Sequence, residues 1–333
     1  MNLLNYKSLL VTGGTGSFGR AFVRHVLDKY PAIERVVIYS RDEFKQFEMK
    51  QSSPFDDARI RYFVGDVRDK DRLYRAFEGV DVVIHAAALK QIPSCEYNPF
   101  EAVKTNIHGA QNVIDAAIDR NVNKVVALST DKACAPINLY GATKLCSDKL
   151  FIAGNSYTGN RDTVFCVVRY GNVVGSRGSV IPYFMELLKN GEKRLPITDK
   201  KMTRFWLTMD RAVDLVKTAL EYMGGGELFV CKIPSVKIVD VAEAVSPGVK
   251  LKVVGIRPGE KMHEMMITRD DARHTLEFNE YYVIQPRFQM WGMKKGQRRA
   301  APVKDDFEYN SQINSEWLSV RQIRRQLKKL EII

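Results

Sequence analysis

The stretch Thr12-Gly13-Gly14-Thr15-Gly16-Ser17-Phe18-Gly19 joins an apolar run, Ser8–Thr12 (SLLVT), to a helical pattern over residues 18–29. Gly14, Gly16 and Gly19 fit G-x-G-x-x-G; Gly13, Gly16 and Gly19 fit the G-x-x-G-x-x-G variant. Glycine serves three needs here: a tight turn, close approach of backbone to a pyrophosphate, and packing of the helix on the strand. The start of the helix adds unpaired N–H groups and a positive dipole end. Strand, turn and helix in this order read as a phosphate loop, with Gly13, Thr15, Gly16, Ser17, Phe18 and Gly19 as candidate contacts.

The same rhythm continues outward. Arg35–Ser40 (RVVIYS), Ile60–Val64 (IRYFV), Asp81–His85 (DVVIH), Lys124–Ser129 (KVVALS) and Val164–Arg169 (VFCVVR) are nearly continuous apolar runs. Parallel strands buried on both faces have this character. Helical segments such as 99–120 lie between them, so the expected fold is α/β, a doubly wound parallel sheet of Rossmann type. Past Asn172 the rhythm fades into short elements with scattered Gly and Pro. The expected division is a dinucleotide-binding domain of 1–171 plus 205–232, and a smaller substrate lobe of 172–204 plus 233–333. Residues 290–304 read as a loop, and the last helix as about 316–330.

Composition excludes several classes. With 333 residues and 45% of them hydrophobic, the chain can build a large core. No apolar run approaches the ~18 residues of a membrane span, and the first strand begins too early for a signal peptide, so a cytoplasmic location with no membrane insertion is expected. The five cysteines show no zinc or redox spacing, and no metal site is expected; buried reduced thiols are the simplest reading. The formal charge is +12, and half of it falls in residues 286–333, with 11 Lys or Arg against 5 Asp or Glu. Lys294, Lys295, Arg298 and Arg299 form one cluster; Arg321, Arg324, Arg325, Lys328 and Lys329 form another. No aromatic stacking pattern accompanies them, so a solvated helix face with a subunit contact is expected and nucleic acid is not. The remaining positive charge suits an anionic small substrate.

The end of the second strand bears on cofactor choice. A binder of NAD usually places an acidic residue there for the ribose 2′-hydroxyl. Here the strand ends Ser40-Arg41-Asp42, and the planar fork of Arg41 suits a 2′-phosphate, with Lys45 to assist; NADP is expected. Gly65-Asp66-Val67 would sit beside the adenine, and the small run His85-Ala86-Ala87-Ala88 would let the cofactor pass close to backbone. Further on, Tyr140-Gly141-Ala142-Thr143-Lys144 places Tyr and Lys on one helical face. The ammonium of Lys144 would lower the phenol's pKa and hold the nicotinamide ribose. A phenolate there can take the proton of a sugar hydroxyl as hydride leaves its carbon.

Taken together, TGGTGSFG, GDV, HAAA, Ser129-Thr130, YGATK and Arg169-Tyr170-Gly171-Asn172-Val173-Val174-Gly175 resemble the extended short-chain dehydrogenase/reductase family. Within it the chain resembles, over most of residues 8–285, the configuration-inverting UDP-N-acetylglucosamine 4,6-dehydratases that begin pseudaminic acid biosynthesis. The distinctive stretches are YSRDE with Lys45-Gln46, Glu96-Tyr97-Asn98-Pro99, Ser129-Thr130-Asp131-Lys132-Ala133, GSRGSV, Met202-Thr203-Arg204-Phe205-Trp206 and Arg257-Pro258-Gly259-Glu260-Lys261. Ordinary hexose 4,6-dehydratases carry Thr-Asp-Glu where this chain has Thr130-Asp131-Lys132.

The resemblance implies roles. Thr130 would bond the sugar's 4-oxygen, Asp131 would protonate the departing 6-hydroxyl, and Lys132, its pKa lowered by the site, would remove the C5 proton; the competing reading of Lys132 is a salt-bridge partner of Asp131. Transient oxidation at C4 acidifies C5–H, water is eliminated across C5 and C6, and hydride returns to C6 while C5 is reprotonated on the opposite face. Ala86, Ala87, Asp66, Val67 and Lys90 would contact the cofactor. Lys90, Asn172, Val180, Thr198, Met202, Arg204, Arg257 and Glu260 would surround UDP-N-acetylglucosamine, with Arg204 and Arg257 on the diphosphate and Glu260 on the uridine ribose. A homo-oligomer, dimer to hexamer, is implied; the destination of the sugar, flagellin, capsule or lipopolysaccharide, stays open. Gln91, Ser94-Cys95 and Ala135 depart from the group's usual pattern. Rival readings are a retaining dehydratase, a UDP-sugar 4-epimerase, which has no use for Asp131-Lys132, and a non-catalytic NADP sensor.

Overall fold

The computed structural model describes residues 5–176, 178–287 and 300–333. Arg177 of the GSRGSV stretch and the cluster Lys294, Lys295, Arg298 and Arg299 lie outside the described residues, as does most of the 290–304 loop. Among the described residues ten strands form one sheet. Seven are parallel, in the spatial order 60–64, 35–40, 8–12, 82–85, 124–130, 164–170 and 228–231. Their order reverses between Ser8–Thr12 and Val82–His85. A crevice opens at the carboxyl ends of the strands at such a switch point, and ligands of doubly wound sheets bind there. The runs Ser8–Thr12 and Lys124–Thr130 are buried at every position, which is why they lack alternation.

Helices 17–29 and 209–222 pack together on one face; helices 70–76, 109–119 and 139–154 form a row on the other. The pattern predicts one helix over 99–120, but the structure interrupts it with a π-turn at Lys104–His108. That turn aims Asn106 inward, where it bonds both Leu89 N–H and Leu89 C=O at 2.9 Å and Thr143 Oγ1 at 3.0 Å. The loop leading to Lys90 is thereby tied to the helix of Tyr140.

The lobe has its own core, built from Ile181, Phe184, Leu195, Ile197, Met202, Trp206, Val236 and Val241 among others. The last helix, Val320–Lys329, joins it through Ile323 and Leu327 and starts later than expected, at the Ser319–Gln322 capping box. Its Arg321, Arg325, Lys328 and Lys329 face solvent. Residues 275–284, expected in the lobe, instead extend the large sheet: Tyr281–Ile284 pairs antiparallel with Leu228–Cys231, and Thr275–Glu277 and Ala301–Pro302 add the edge. Such short hairpin strands have no helix between them to mark a rhythm. Four cysteines are buried as free thiols, whereas Cys146 is exposed, contrary to a uniformly buried set. Among the described residues no helix is long and apolar enough to cross a membrane.

Candidate active site

One cavity of about 740 Å³ runs from the phosphate loop, past Thr130, Asp131, Lys132, Tyr140 and Lys144, to Asn172, Arg257 and Glu260. At its start Gly13 has φ +66°, and a Cβ there would lie 3.0 Å from the backbone of Ala86 and Ala87. The loop is also clasped by Thr12 Oγ1, which accepts from the N–H groups of Ala86 and Ala87 at 3.1 and 3.2 Å. Gly16 occupies the N-cap of helix 17–29 with no side chain to cap it, leaving the first N–H groups to a ligand. Thr15, Ser17, Phe18 and Gly19 line the same wall. This is a cradle that a side chain would fill, and it fits a dinucleotide pyrophosphate.

Ser40, Arg41, Asp42 and Lys45 line the next part of the cavity. Gln46 fixes Ser40 by donating to its Oγ at 2.9 Å and its carbonyl at 3.2 Å. Asp42 is already committed: it caps helix 43–50 by accepting from Lys45 N–H at 3.0 Å and pairs with Lys45 Nζ at 2.6 Å. Arg41 is held only loosely, 3.9 Å from Asp66. Gly65 and Val67 line the cavity, but Asp66 does not; it turns to Arg68 at 2.8 Å.

At the chemical end, Thr130 closes the strand 124–130 and caps the 3₁₀ turn Asp131–Ala133 by accepting from Lys132 N–H at 3.3 Å. Its hydroxyl donates to Asp131 Oδ1 at 2.9 Å. Helix 139–154, capped by Asn138 on Gly141 N–H at 2.7 Å, carries Tyr140 and Lys144, both buried. Gly141 is the contact that sets this helix: a Cβ there would lie 3.0 Å from the carbonyl carbon of Lys132 and well inside contact of its oxygen. The triplet and the Tyr–Lys pair are thus locked backbone to backbone.

The electrostatics differ from the expectation. Burial pushes the Tyr140 phenol up to about 12. Lys132 opposes this most, followed by a hydrogen bond with Thr130. The expected lowering by Lys144 does not decide the direction, and burial also lowers Lys144 itself. Lys132 donates to Asp131 Oδ1 at 3.0 Å and to Glu264 Oε1 at 3.3 Å. Burial alone would lower its pKa, but these two carboxylates outweigh it and raise it, so the expected depression of Lys132 is overturned in this arrangement. Asp131, 1% exposed, is raised by burial first and by Glu264 second.

Lys90, Asn172, Arg257 and Glu260 line the far end of the cavity; Arg204, Met202, Val180 and Thr198 do not. Met202 sits in the lobe core. Thr198 stands behind Glu260 and donates to its Oε2 at 3.1 Å. Arg204, expected on a diphosphate, instead donates to the carbonyls of Thr203 and Met262 at 2.8 and 3.2 Å and lies 3.5 Å from Glu264. The Arg257–Lys261 loop is clamped to the region of the Asp131–Ala133 turn, with Asn138 Nδ2 donating to Gly259 C=O at 2.8 Å and Lys261 Nζ to Cys134 C=O at 2.5 Å.

Residues 9–286 match the family described as polysaccharide biosynthesis protein. The chain belongs to that family. It is 53% identical, over 96% of its length and 97% of the relative's, to a Campylobacter jejuni UDP-N-acetylglucosamine 4,6-dehydratase (inverting). It is 40% identical, over 98% of its length and 97% of the relative's, to a UDP-glucose 4-epimerase of Rickettsia akari. Among solved structures it is similar to a dTDP-glucose 4,6-dehydratase from Streptomyces venezuelae with NAD bound, at 25% identity and TM-score 0.68 over 77% of this chain and 86% of that one. The fold is that of nicotinamide-dependent nucleotide-sugar enzymes, as the resemblance implied.

Proposed function

We propose that this chain is an NADP-dependent UDP-N-acetylglucosamine 4,6-dehydratase that inverts C5. The observation that carries the reading is the Asp131–Lys132 pair, 3.0 Å apart with Asp131 buried and Lys132 partly so, beside Tyr140 in the cavity that begins at the phosphate loop. The 53% identical relative supports the substrate. A 4-epimerase needs the Tyr140–Lys144 pair but has no use for a buried acid/base pair; the 40% identical epimerase keeps that rival in the test.

Gly13, Thr15, Gly16, Ser17, Phe18 and Gly19 would hold the cofactor's pyrophosphate. Arg41 and Lys45 would hold a 2′-phosphate, Asp42 being already engaged. A bound nicotinamide supplies a reversible hydride acceptor for C4 and a donor for C6. Tyr140 would take the proton of the 4-hydroxyl as phenolate, the form that Lys132 and the Thr130 hydrogen bond favour against burial, and the Thr130 hydroxyl bonds the same oxygen. A proton then crosses the 3.0 Å contact from Lys132 to Asp131, leaving an amine and an acid with no change in net charge. The amine of Lys132 removes the C5 proton, made acidic by the 4-ketone, and Asp131 protonates the 6-hydroxyl, which leaves as water. C5–H and C6–O break, a C5=C6 double bond forms, and the pair ends as ammonium and carboxylate, as it began. Once C6 has received hydride, C5 takes a solvent-derived proton on the opposite face, which gives the L-arabino 4-ketose.

Arg257 presents a planar fork to the UDP diphosphate, Glu260, steadied by Thr198, meets the uridine ribose, and Lys90 and Asn172 flank the sugar. A cytoplasmic homo-oligomer completes the proposal. The test is incubation of the cofactor-loaded chain with UDP-N-acetylglucosamine, followed by mass and NMR analysis. Loss of one water is expected; the C4 epimer at unchanged mass would overturn the reading in favour of an epimerase.

A further inference from the structure

The proposed mechanism gives no task to Glu264, yet this carboxylate is only 2% exposed and touches the pair that does the elimination. It comes from a loop 132 residues away and reaches Lys132 Nζ at 3.3 Å. Arg204 approaches the same oxygen at 3.5 Å. Its backbone is pinned on both sides, Glu264 N–H donating to Ser311 Oγ at 2.9 Å and Ser311 N–H to Glu264 C=O at 2.7 Å. Two buried carboxylate oxygens, Asp131 Oδ2 and Glu264 Oε2, have no hydrogen-bond partner among the described residues. Asp131, Lys132, Glu264 and Arg204 thus form one cluster with two formal charges of each sign, its two carboxylates buried, and Lys261 close enough to act on Glu264.

We propose that Glu264 is a positioning residue for the dehydration: through Lys132 it sets how many protons the Asp131–Lys132 pair holds, keeping one shared proton there at working pH. The inference rests on the dehydratase reading above. The pair works only with a single proton between its two members, since one must act as acid and the other as base. A second carboxylate at this distance favours proton retention by both, and Arg204 moderates it. Burial and Glu264 both raise Asp131, while Lys132, Arg204 and Lys261 together hold Glu264 itself low and ionised. Other titratable groups nearby are Tyr140, which feels Lys132 and Asp131; Cys134, raised by burial and touched by the charges of Lys261 and Asp131; and His263, which contacts Thr203 Oγ1 at 2.8 Å and is lowered by burial and by Arg204.

Removing the Glu264 charge makes every protonation of the pair harder, so both limbs of the bell-shaped kcat profile move in one direction. The experiment measures kcat against pH for wild type, Glu264→Gln, Glu264→Asp, Arg204→Gln and the double variant Glu264→Gln/Arg204→Gln. The Glu264→Gln profile is expected to move to lower pH by about 1–3 units, the usual effect of one adjacent charge. Arg204→Gln moves it up, the double variant returns it towards wild type, and Glu264→Asp keeps the wild-type position at reduced kcat. A ¹³C NMR titration of the Asp131 carboxyl, with and without Glu264→Gln, reads the same shift without turnover. It therefore decides the proposal even if the wild-type chain fails to dehydrate the substrate. Calorimetric binding of UDP serves as the folding control. Unmoved limbs and an unmoved Asp131 titration in a variant that binds UDP normally overturn the proposal.

Discussion

Replacing Gly141 with alanine tests the way the site is assembled. The added Cβ would overlap the Lys132 carbonyl, roughly 1 Å or more inside ordinary contact, and both partners are backbone. No rotamer change can relieve it; the helix 139–154 must move away from the Asp131–Ala133 turn, or the turn must open. Overpacking of this kind costs about 1–3 kcal/mol of stability. The effect on rate is larger, because Tyr140 and Lys144 ride on that helix while Asp131 and Lys132 stay on the turn. A displacement of about 1 Å between groups that act on one sugar is worth about 10²-fold. Steady-state kcat with UDP-N-acetylglucosamine should therefore fall about 100-fold, while urea denaturation shows a fold still intact. Adenosine 2′,5′-bisphosphate, which probes the Arg41 end of the cavity, should bind as to wild type. A Gly141→Ala protein with wild-type kcat would refute the claim that this backbone contact sets the catalytic geometry.

Other consequences follow from the same geometry. Lys132→Met should abolish solvent deuterium incorporation at C5, a loss of at least about 10²-fold, measured by NMR of product and recovered substrate; wild-type exchange would remove Lys132 as the base. Arg41→Ala should reduce the preference for NADP over NAD by about tenfold, a modest figure because the guanidinium is half exposed; comparison of the two dissociation constants checks it. His85 is fully buried against Thr12 Oγ1 at 2.9 Å, and burial, with Lys144 second, depresses it to about 3. Below its unfolded value of 6.5 the unfolded chain takes up a proton that the native chain refuses. His85 therefore costs no stability above pH 6.5 and progressively more as pH falls towards 3, at up to about 1.4 kcal/mol per pH unit. Urea midpoints across that window, with His85→Gln losing this part of the slope, are the check.

The sheet was legible because each parallel strand is a closed apolar run: RVVIYS at 35–40 and IRYFV at 60–64 begin and end where their patterns do. The π-turn at Lys104–His108 was not, since nothing in KTNIH breaks the helical spacing; only the buried partners of Asn106 account for it. The hairpin at 275–284 was missed because strands of three and four residues carry too little pattern. Within the site, the Thr130-Asp131-Lys132 triplet and the Tyr140–Lys144 pair are local in sequence, and the structure brings them to one cavity wall. Glu264 and the redirected Arg204 were invisible, because an ion cluster joining residues 131, 132, 204 and 264 leaves no mark in any one segment. Gly141 was readable in principle: a glycine inside a helix costs about 1 kcal/mol against alanine, so its place beside Tyr140 calls for a close contact.

The central claim, that Asp131 and Lys132 direct dehydration with inversion, is tested most directly by the stereochemistry at C5. UDP-N-acetylglucosamine is turned over in D₂O and the first product is characterised by NMR before it can equilibrate. The expected product is the L-arabino 4-keto sugar with one solvent deuterium at C5. A D-xylo product, with C5 configuration retained from the outset, would contradict it.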